Sequence, residues 1–128
     1  MAVIRFSHYN LRASADLIEA LRRFYTDVIG LHEGPRPAFD SPGHWLYAGP
    51  VDLLHLTVAH EERQAHVSGT FDHVALACDD LEGTMRRLNA HRWNWRQDEI
   101  PGQGVVQLFL RDPAGNGVEL NFPGGSQA

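Results

Sequence analysis

Glu119 lies in the middle of a short alternating segment, where a carboxylate needs a partner. Residues 111–117 contain Asp-Pro and Gly-Asn-Gly, which favour a tight turn. From Val118 to Phe122 apolar and polar side chains alternate, which predicts a half-buried strand. A carboxylate inside a protein must be paired or must bind a metal. The segment therefore predicts a strand with a functional acid at its centre.

An internal repeat pairs this acid with a histidine in the first half of the chain. When the second half is laid on the first, four matches follow in one order: Asp80-Leu81 on Asp16-Leu17, Pro101 on Pro37, Leu110 on Leu46 and Glu119 on His55. His73 falls on His8 after one inserted residue. The series indicates a duplicated structural unit.

Each copy of the unit is predicted to have the order strand, helix, strand, strand, strand. The first copy runs from residue 3 to 59 and the second from 70 to 122, with residues 60–69 as a linker. The first strand is expected over Val3–Leu11, and a helix follows that is capped by Ser14 and ended by Gly30. Asp80 is expected to start the second helix. Three consecutive strands exclude a doubly wound parallel fold and favour an α+β domain.

Composition limits the partners of this protein. The 128 residues suit one domain, and 11 basic against 16 acidic residues give a formal net charge of −5. This balance argues against a nucleic acid or an anionic membrane as partner. The N-terminus has no signal-peptide pattern, and no apolar run approaches the about 18 residues of a membrane span. We therefore expect a soluble cytoplasmic protein whose single cysteine, Cys78, is an ordinary residue.

The repeat predicts a common site for four polar side chains. If the first and last strands of each unit are neighbours, His8 lies beside His55, and His73 lies beside Glu119. One inward histidine alone would more often be a core residue, but three histidines and one glutamate at matched positions favour a shared site. Three imidazoles and one carboxylate suit Zn, Ni, Fe(II), Co or Mn better than Mg or Ca. Four further residues are expected to line the cavity that contains this site: Trp45, Tyr47, Gln107 and Phe109.

Three segments carry a resemblance to a known family: Phe24–Leu31, Phe71–Ala75 and Asp112–Leu120. With these motifs the chain resembles the vicinal oxygen chelate superfamily, which includes glyoxalases, epimerases, extradiol dioxygenases and bleomycin-binding proteins. The resemblance implies two paired βαβββ modules that form an open, curved mixed sheet, or cup, with helices on its outer face. It also implies a homodimer in which modules of different chains share the sites.

The resemblance implies a metal site as well. His8, His73 and Glu119 match the positions that bind a divalent metal in most active members. His55 matches the position of a fourth ligand in glyoxalase-like members, and it could instead act as an acid or base.

Three functions compete on this basis. The first is glyoxalase- or epimerase-like lyase or isomerase chemistry, in which the metal chelates two adjacent oxygens of a small substrate. Glu119 or His55 would then move a proton alpha to a carbonyl. The second is an extradiol Fe(II) dioxygenase, although such enzymes place a tyrosine where this chain has Phe109 and a histidine further upstream. The third is a non-enzymatic protein that sequesters an antibiotic or an aromatic ligand. We predict the first.

Overall fold

The computed structural model describes residues 2–61, 63–67 and 69–124. The chain divides into two compact units, residues 1–64 and 65–128, which are called the first and second module below. Each module contains one four-stranded mixed sheet and one helix. The prediction of an α+β protein built from two βαβββ modules is confirmed. The described part of the chain contains no helix that is long and apolar enough to span a membrane.

In the first module the last strand lies beside the first. The elements are β1 (Tyr9–Ala13), α1 (Ala15–Arg23), β2 (His32–Gly34), β3 (Gly43–Ala48) and β4 (Val51–Val58). The sheet order is β1-β4-β3-β2. Strand β4 runs parallel to β1 and antiparallel to β3. This order makes residues of the first and last strands direct neighbours.

Helix α1 begins and ends where its sequence signals predict. The Ser14 hydroxyl accepts a hydrogen bond from the backbone N–H of Leu17 at 3.4 Å. After Arg23 the helix widens into a π-helical segment, Phe24–Ile29, and ends at Gly30. Gly30 has a φ of 102°, a left-handed conformation that a residue without a Cβ adopts at little cost. Ile18 and Leu21 on one side of α1 are buried.

The predicted start of the first strand is wrong. The alternation Ile4, Phe6, His8 suggested a strand from Val3, but β1 begins at Tyr9. Residues 2–8 form no strand, and Ile4 and Phe6 are 82% and 65% exposed. Alternation shows which side chains would share a face of a strand, but a ladder also needs a partner. The observed ladder pairs Tyr9–Ala13 with Leu54–Val58.

The second module repeats this arrangement. Its elements are β5 (His73–Ala77), α2 (Leu81–Ala90), β6 (Arg96–Ile100), β7 (Val105–Arg111) and β8 (Gly117–Phe122). The sheet order is β5-β8-β7-β6. A carboxylate oxygen of Asp80 accepts a hydrogen bond from the Gly83 N–H at 3.0 Å, which confirms Asp80 as the start of the helix. Strand β5 starts at His73, three residues later than predicted.

The register of the strands reproduces the sequence repeat. Trp45 lies opposite His55 in the first module, and Phe109 lies opposite Glu119 in the second. On the other side of the last strand His55 pairs with Asn10, and Glu119 pairs with Ala75. The one-residue insertion inferred from the two histidines is therefore also present in the strand pairing.

The core of each module lies on the face of the sheet opposite these polar residues. Leu54 and Leu56 alternate with His55 and are fully buried, and Val118 and Leu120 flank Glu119 in the same way. Each buried leucine contributes roughly 1.5–3 kcal/mol of transfer free energy. The polar face can therefore change its chemistry without removing the main source of stability.

Cys78 has the environment of a structural residue. It is half-buried and forms no disulfide. Burial raises the pKa of the Cys78 thiol to about 11, with a smaller contribution from neighbouring Asp79. A thiol that stays protonated is a poor nucleophile and a poor metal ligand.

A pH dependence is expected from Glu19 on α1. Its carboxylate accepts hydrogen bonds from Arg22 and Arg23, and these lower the pKa of Glu19 from 4.5 to about 2. A carboxyl group whose pKa is lower in the folded state stabilises that state above the unfolded-state pKa, and the contribution disappears as the pH falls through the folded-state pKa. The difference in thermal midpoint between the wild type and Glu19→Gln should therefore be full at pH 7 and shrink between pH 4.5 and 2. Thermal denaturation at pH 7 and pH 3 tests this, and a constant difference would contradict it.

Candidate functional site

In the second module His73 and Glu119 lie against each other. His73 opens β5, and Glu119 occupies the middle of the adjacent strand β8. The Nε2 atom of His73 is 3.0 Å from Oε1 of Glu119. The Glu119 side chain is only 10% exposed, whereas 39% of the His73 side chain is exposed. A buried acid is thus paired with an imidazole that solvent can reach.

Both members of this pair are held by further polar groups. The Nδ1 atom of His73 is 2.8 Å from Oδ2 of Asp72, and this hydrogen bond lowers the pKa of Asp72. Gln107 donates a hydrogen bond to the other carboxylate oxygen of Glu119 at 3.0 Å. A neutral imidazole carries only one N–H, yet both nitrogens of His73 face carboxylates. A neutral ring can therefore donate an N–H to only one of the two carboxylates.

In the first module three rings are stacked. The ring centroids of Trp45 and His55 are 4.0 Å apart, with an interplanar angle of 6°. The ring of His8 covers the other face of His55, with 3.7 Å between centroids. His55 is 9% exposed, and its orientation is fixed by these two neighbours.

An aspartate sets the tautomer of His55. The Nε2 atom of His55 is 2.7 Å from Oδ2 of Asp52. This hydrogen bond lowers the pKa of Asp52, so Asp52 is an acceptor and Nε2 carries the proton. The lone pair of a neutral His55 is then on Nδ1. Asp52 was not identified from the sequence, because its position three residues before His55 fits no strand period.

The two histidines at the start of the modules have matching partners. Ser7 Oγ is 3.0 Å from Nδ1 of His8, as Asp72 Oδ2 is 2.8 Å from Nδ1 of His73. A partner on Nδ1 orients an imidazole so that Nε2 is available, which is a common arrangement around metal-ligating histidines. The polar residue directly before each histidine could have predicted these Nδ1 partners from the sequence.

The other residues predicted to line the cavity belong to both modules, Tyr47 to the first and Gln107 and Phe109 to the second. Gln107 contacts Glu119, and Phe109 lies opposite it in the β7–β8 ladder with the Arg96 guanidinium 4.4 Å from its ring centroid. Tyr47 donates a hydrogen bond to the Pro35 carbonyl at 2.5 Å and does not line the first-module cavity.

The first module contains an open cavity of about 770 Å³. Its lining includes His8, Trp45, Asp52 and His55, together with two arginines that the sequence did not single out, Arg12 and Arg36. A volume of this size suits a small organic ligand. Within the described residues, neither module by itself groups three or more His, Cys, Asp or Glu side chains that could hold a metal ion.

Comparison with known proteins identifies the family. The family model of the Glyoxalase/Bleomycin resistance protein/Dioxygenase superfamily matches residues 5–120. The chain belongs to this superfamily, and the resemblance predicted from its motifs is confirmed. No curated protein matches the sequence.

Solved structures show the same fold at low sequence identity. A glyoxalase family protein from Bacillus anthracis is 21% identical with a TM-score of 0.74, and the match covers 96% of this chain and 98% of that one. An antibiotic-binding protein from a Streptomyces species is 20% identical with a TM-score of 0.68, covering 96% and 98%. Lactoylglutathione lyase from Agrobacterium tumefaciens is 19% identical with a TM-score of 0.64, covering 95% and 96%. At these identities the likeness concerns the fold alone.

Proposed function

We propose that this protein is a divalent-metal-dependent enzyme of the glyoxalase or epimerase kind. It would hold two adjacent oxygens of a small substrate and move a proton alpha to a carbonyl. The proposed metal ligands are His8, His73 and Glu119, and His55 is either the fourth ligand or, with Glu119, an acid–base residue. The observation that carries the proposal is the contact between His73 and Glu119.

The geometry of this contact suits two ligands of one cation. With metal–ligand bonds of about 2.1 Å, two ligands of one divalent cation would lie about 3.0–3.4 Å apart. The observed distance from His73 Nε2 to Glu119 Oε1 is 3.0 Å. Hydrogen bonds from Gln107 and to Asp72 hold both groups in this orientation. A cation would also balance the buried carboxylate.

The stack in the first module favours different roles for its two histidines. Lone pairs of imidazoles lie in the ring plane, so parallel rings 3.7 Å apart do not direct them at one point. His8 is exposed and can turn about its side-chain bonds toward a cation. His55 is held by Trp45 and Asp52, which favours it as the acid–base residue.

The proposed chemistry assigns a task to each residue. A bound divalent cation would act as a Lewis acid on the substrate oxygens. Nδ1 of His55 would accept the proton alpha to the carbonyl, and Asp52 would stabilise the imidazolium that forms. Glu119 is the alternative acceptor, and Gln107 would hold its second oxygen. For this chemistry the His8–His55 pair must lie close to the His73–Glu119 pair. We propose that this happens in a homodimer, as the family resemblance implies.

A sequestering protein is the second candidate function. The observation in its favour is the aromatic lining of the first-module cavity by Trp45 and Phe39. One structure of this fold is an antibiotic-binding protein. The extradiol alternative has less support, because Phe109 stands where those enzymes place a tyrosine.

Metal analysis of anaerobically purified protein, followed by parallel assays, tests the proposal. Proton exchange on hemithioacetals and acyl thioesters should depend on one divalent metal ion per site. Oxygen uptake on catechols should stay at background. Stoichiometric ligand binding without metal or turnover would favour the sequestering function, and metal-dependent oxygen uptake would favour the dioxygenase.

A further inference from the structure

A second row of polar groups crosses the first-module sheet beside the Trp45–His55 row. Thr57 of β4 pairs with Arg12 on β1 and with Gly43 on β3. Thr57 is two residues from His55, so the rows share a face and are roughly 7 Å apart. Arg12 and Gly43 are separated by two strand spacings, about 10 Å. The row therefore lies within one small molecule's length of His55.

The guanidinium of Arg36 occupies the Gly43 end of this row. One of its terminal nitrogens donates to the Ser41 carbonyl at 2.9 Å, and the Phe39 ring centroid lies 5.0 Å from its central carbon. A Cβ added at Gly43 would overlap the Leu56 carbonyl oxygen and would be 2.9 Å from a terminal nitrogen of Arg36. Glycine at this position therefore permits the close approach of β4 and also leaves room for the guanidinium.

Neither arginine of the row is neutralised by the described residues. Arg12 and Arg36 form no ion pair there, in contrast to Arg22 and Arg23 on α1. The Nε–H of Arg36 is buried and has no hydrogen-bond acceptor among the same residues. A buried donor without an acceptor is unfavourable, so the guanidinium of Arg36 has hydrogen-bonding capacity that the described residues leave unused.

The carboxylates that line the cavity do not use this capacity. Asp52 is bonded to His55. Asp40 is exposed in the segment between β2 and β3, and within the described residues it forms no ion pair with either arginine. The Thr57 hydroxyl accepts a hydrogen bond from Asn10 at 2.9 Å, so its own proton is available to an acceptor. Two guanidinium groups and a hydroxyl thus face the cavity with donors.

We infer that the substrate carries an oxyanion, a carboxylate or a phosphate, which binds between Arg12 and Arg36 over Thr57. Its reacting carbon lies toward His55, and its apolar part packs on Trp45 and Phe39. The inference rests on the proposed function only in calling the ligand a substrate, because the anion site itself belongs to the first module. Guanidinium groups match both anions through paired N–H donors.

Equilibrium binding to the metal-free full-length protein tests the inference. Removing metal with a chelator prevents a carboxylate from binding a cation directly. The probes are benzoate, phenyl phosphate and the neutral benzamide, measured by isothermal titration calorimetry. At least one anion should bind about 10-fold more tightly than benzamide, because hydrogen bonds to charged groups are stronger than those between neutral groups. The tighter of the two anions identifies the group.

Substitutions locate the anion. Arg36→Gln and Arg12→Gln should each weaken anion binding about 10-fold and leave benzamide binding unchanged. Arg23→Gln makes the same change of charge on α1 and should have no effect. Arg36→Lys keeps the charge and should lose less than Arg36→Gln. If Arg36→Gln does not fold, the exposed Arg12→Gln decides the question.

The inference is overturned if benzamide binds as tightly as both anions, or if Arg12→Gln and Arg36→Gln bind anions like the wild type. Absence of metal or turnover with intact anion binding would reject only the proposed function.

Discussion

Replacing His73 with alanine is expected to lower the affinity for a divalent metal by at least about 100-fold and to leave the fold intact. Replacing a residue that only hydrogen-bonds a metal ligand typically lowers metal affinity by about 10–100-fold, so replacing a ligand itself should lower it further. Its side chain is 39% exposed, so its removal leaves no cavity in the core. The helix–sheet core, with Leu120 and Phe122, is untouched.

Competition with a chelating dye measures the metal affinity, and circular dichroism with thermal denaturation checks the fold. His91→Ala is a matched control, because His91 is an exposed histidine at the end of α2. Asp72→Asn should show a smaller loss than His73→Ala, since it removes only the carboxylate that orients the ring. Retention of one tightly bound metal ion by His73→Ala would remove this residue from the proposed site.

His55→Ala is expected to reduce turnover by about 10²–10⁴-fold, the usual contribution of a general acid or base. Metal affinity should fall much less than in His73→Ala, because the Nε2 atom of His55 is engaged by Asp52. The substitution also opens a space between Trp45 and His8. Added imidazole can enter such a space and restore part of the activity.

The rescue distinguishes a proton-transfer role from a structural one. Activity of His55→Ala should rise with the imidazole concentration and then saturate. His44→Ala is the control, because His44 lies on the adjacent strand and bonds Glu33. Wild-type activity in His55→Ala would exclude this residue from catalysis. Failure of imidazole, together with a loss of metal as large as in His73→Ala, would identify His55 as a ligand.

The repeat was sufficient to predict the two modules and several pairs of neighbouring residues within their sheets. It matched His55 to Glu119, and the strand register places Trp45 opposite the first and Phe109 opposite the second. Capping residues also predicted the helix starts at Ser14 and Asp80. These features depend on short-range spacing, which a single sequence displays directly.

The sequence by itself determined the fold class, the family motifs and the side chains that could share one face of each sheet. Only the tertiary structure decided that β1 starts at Tyr9, that Asp52 holds His55 and that Arg36 lies against Gly43. The physical reason is the range of the interactions. Periodicity within a strand sets the direction of a side chain, whereas a ladder or a hydrogen bond depends on the distance to residues elsewhere in the folded chain.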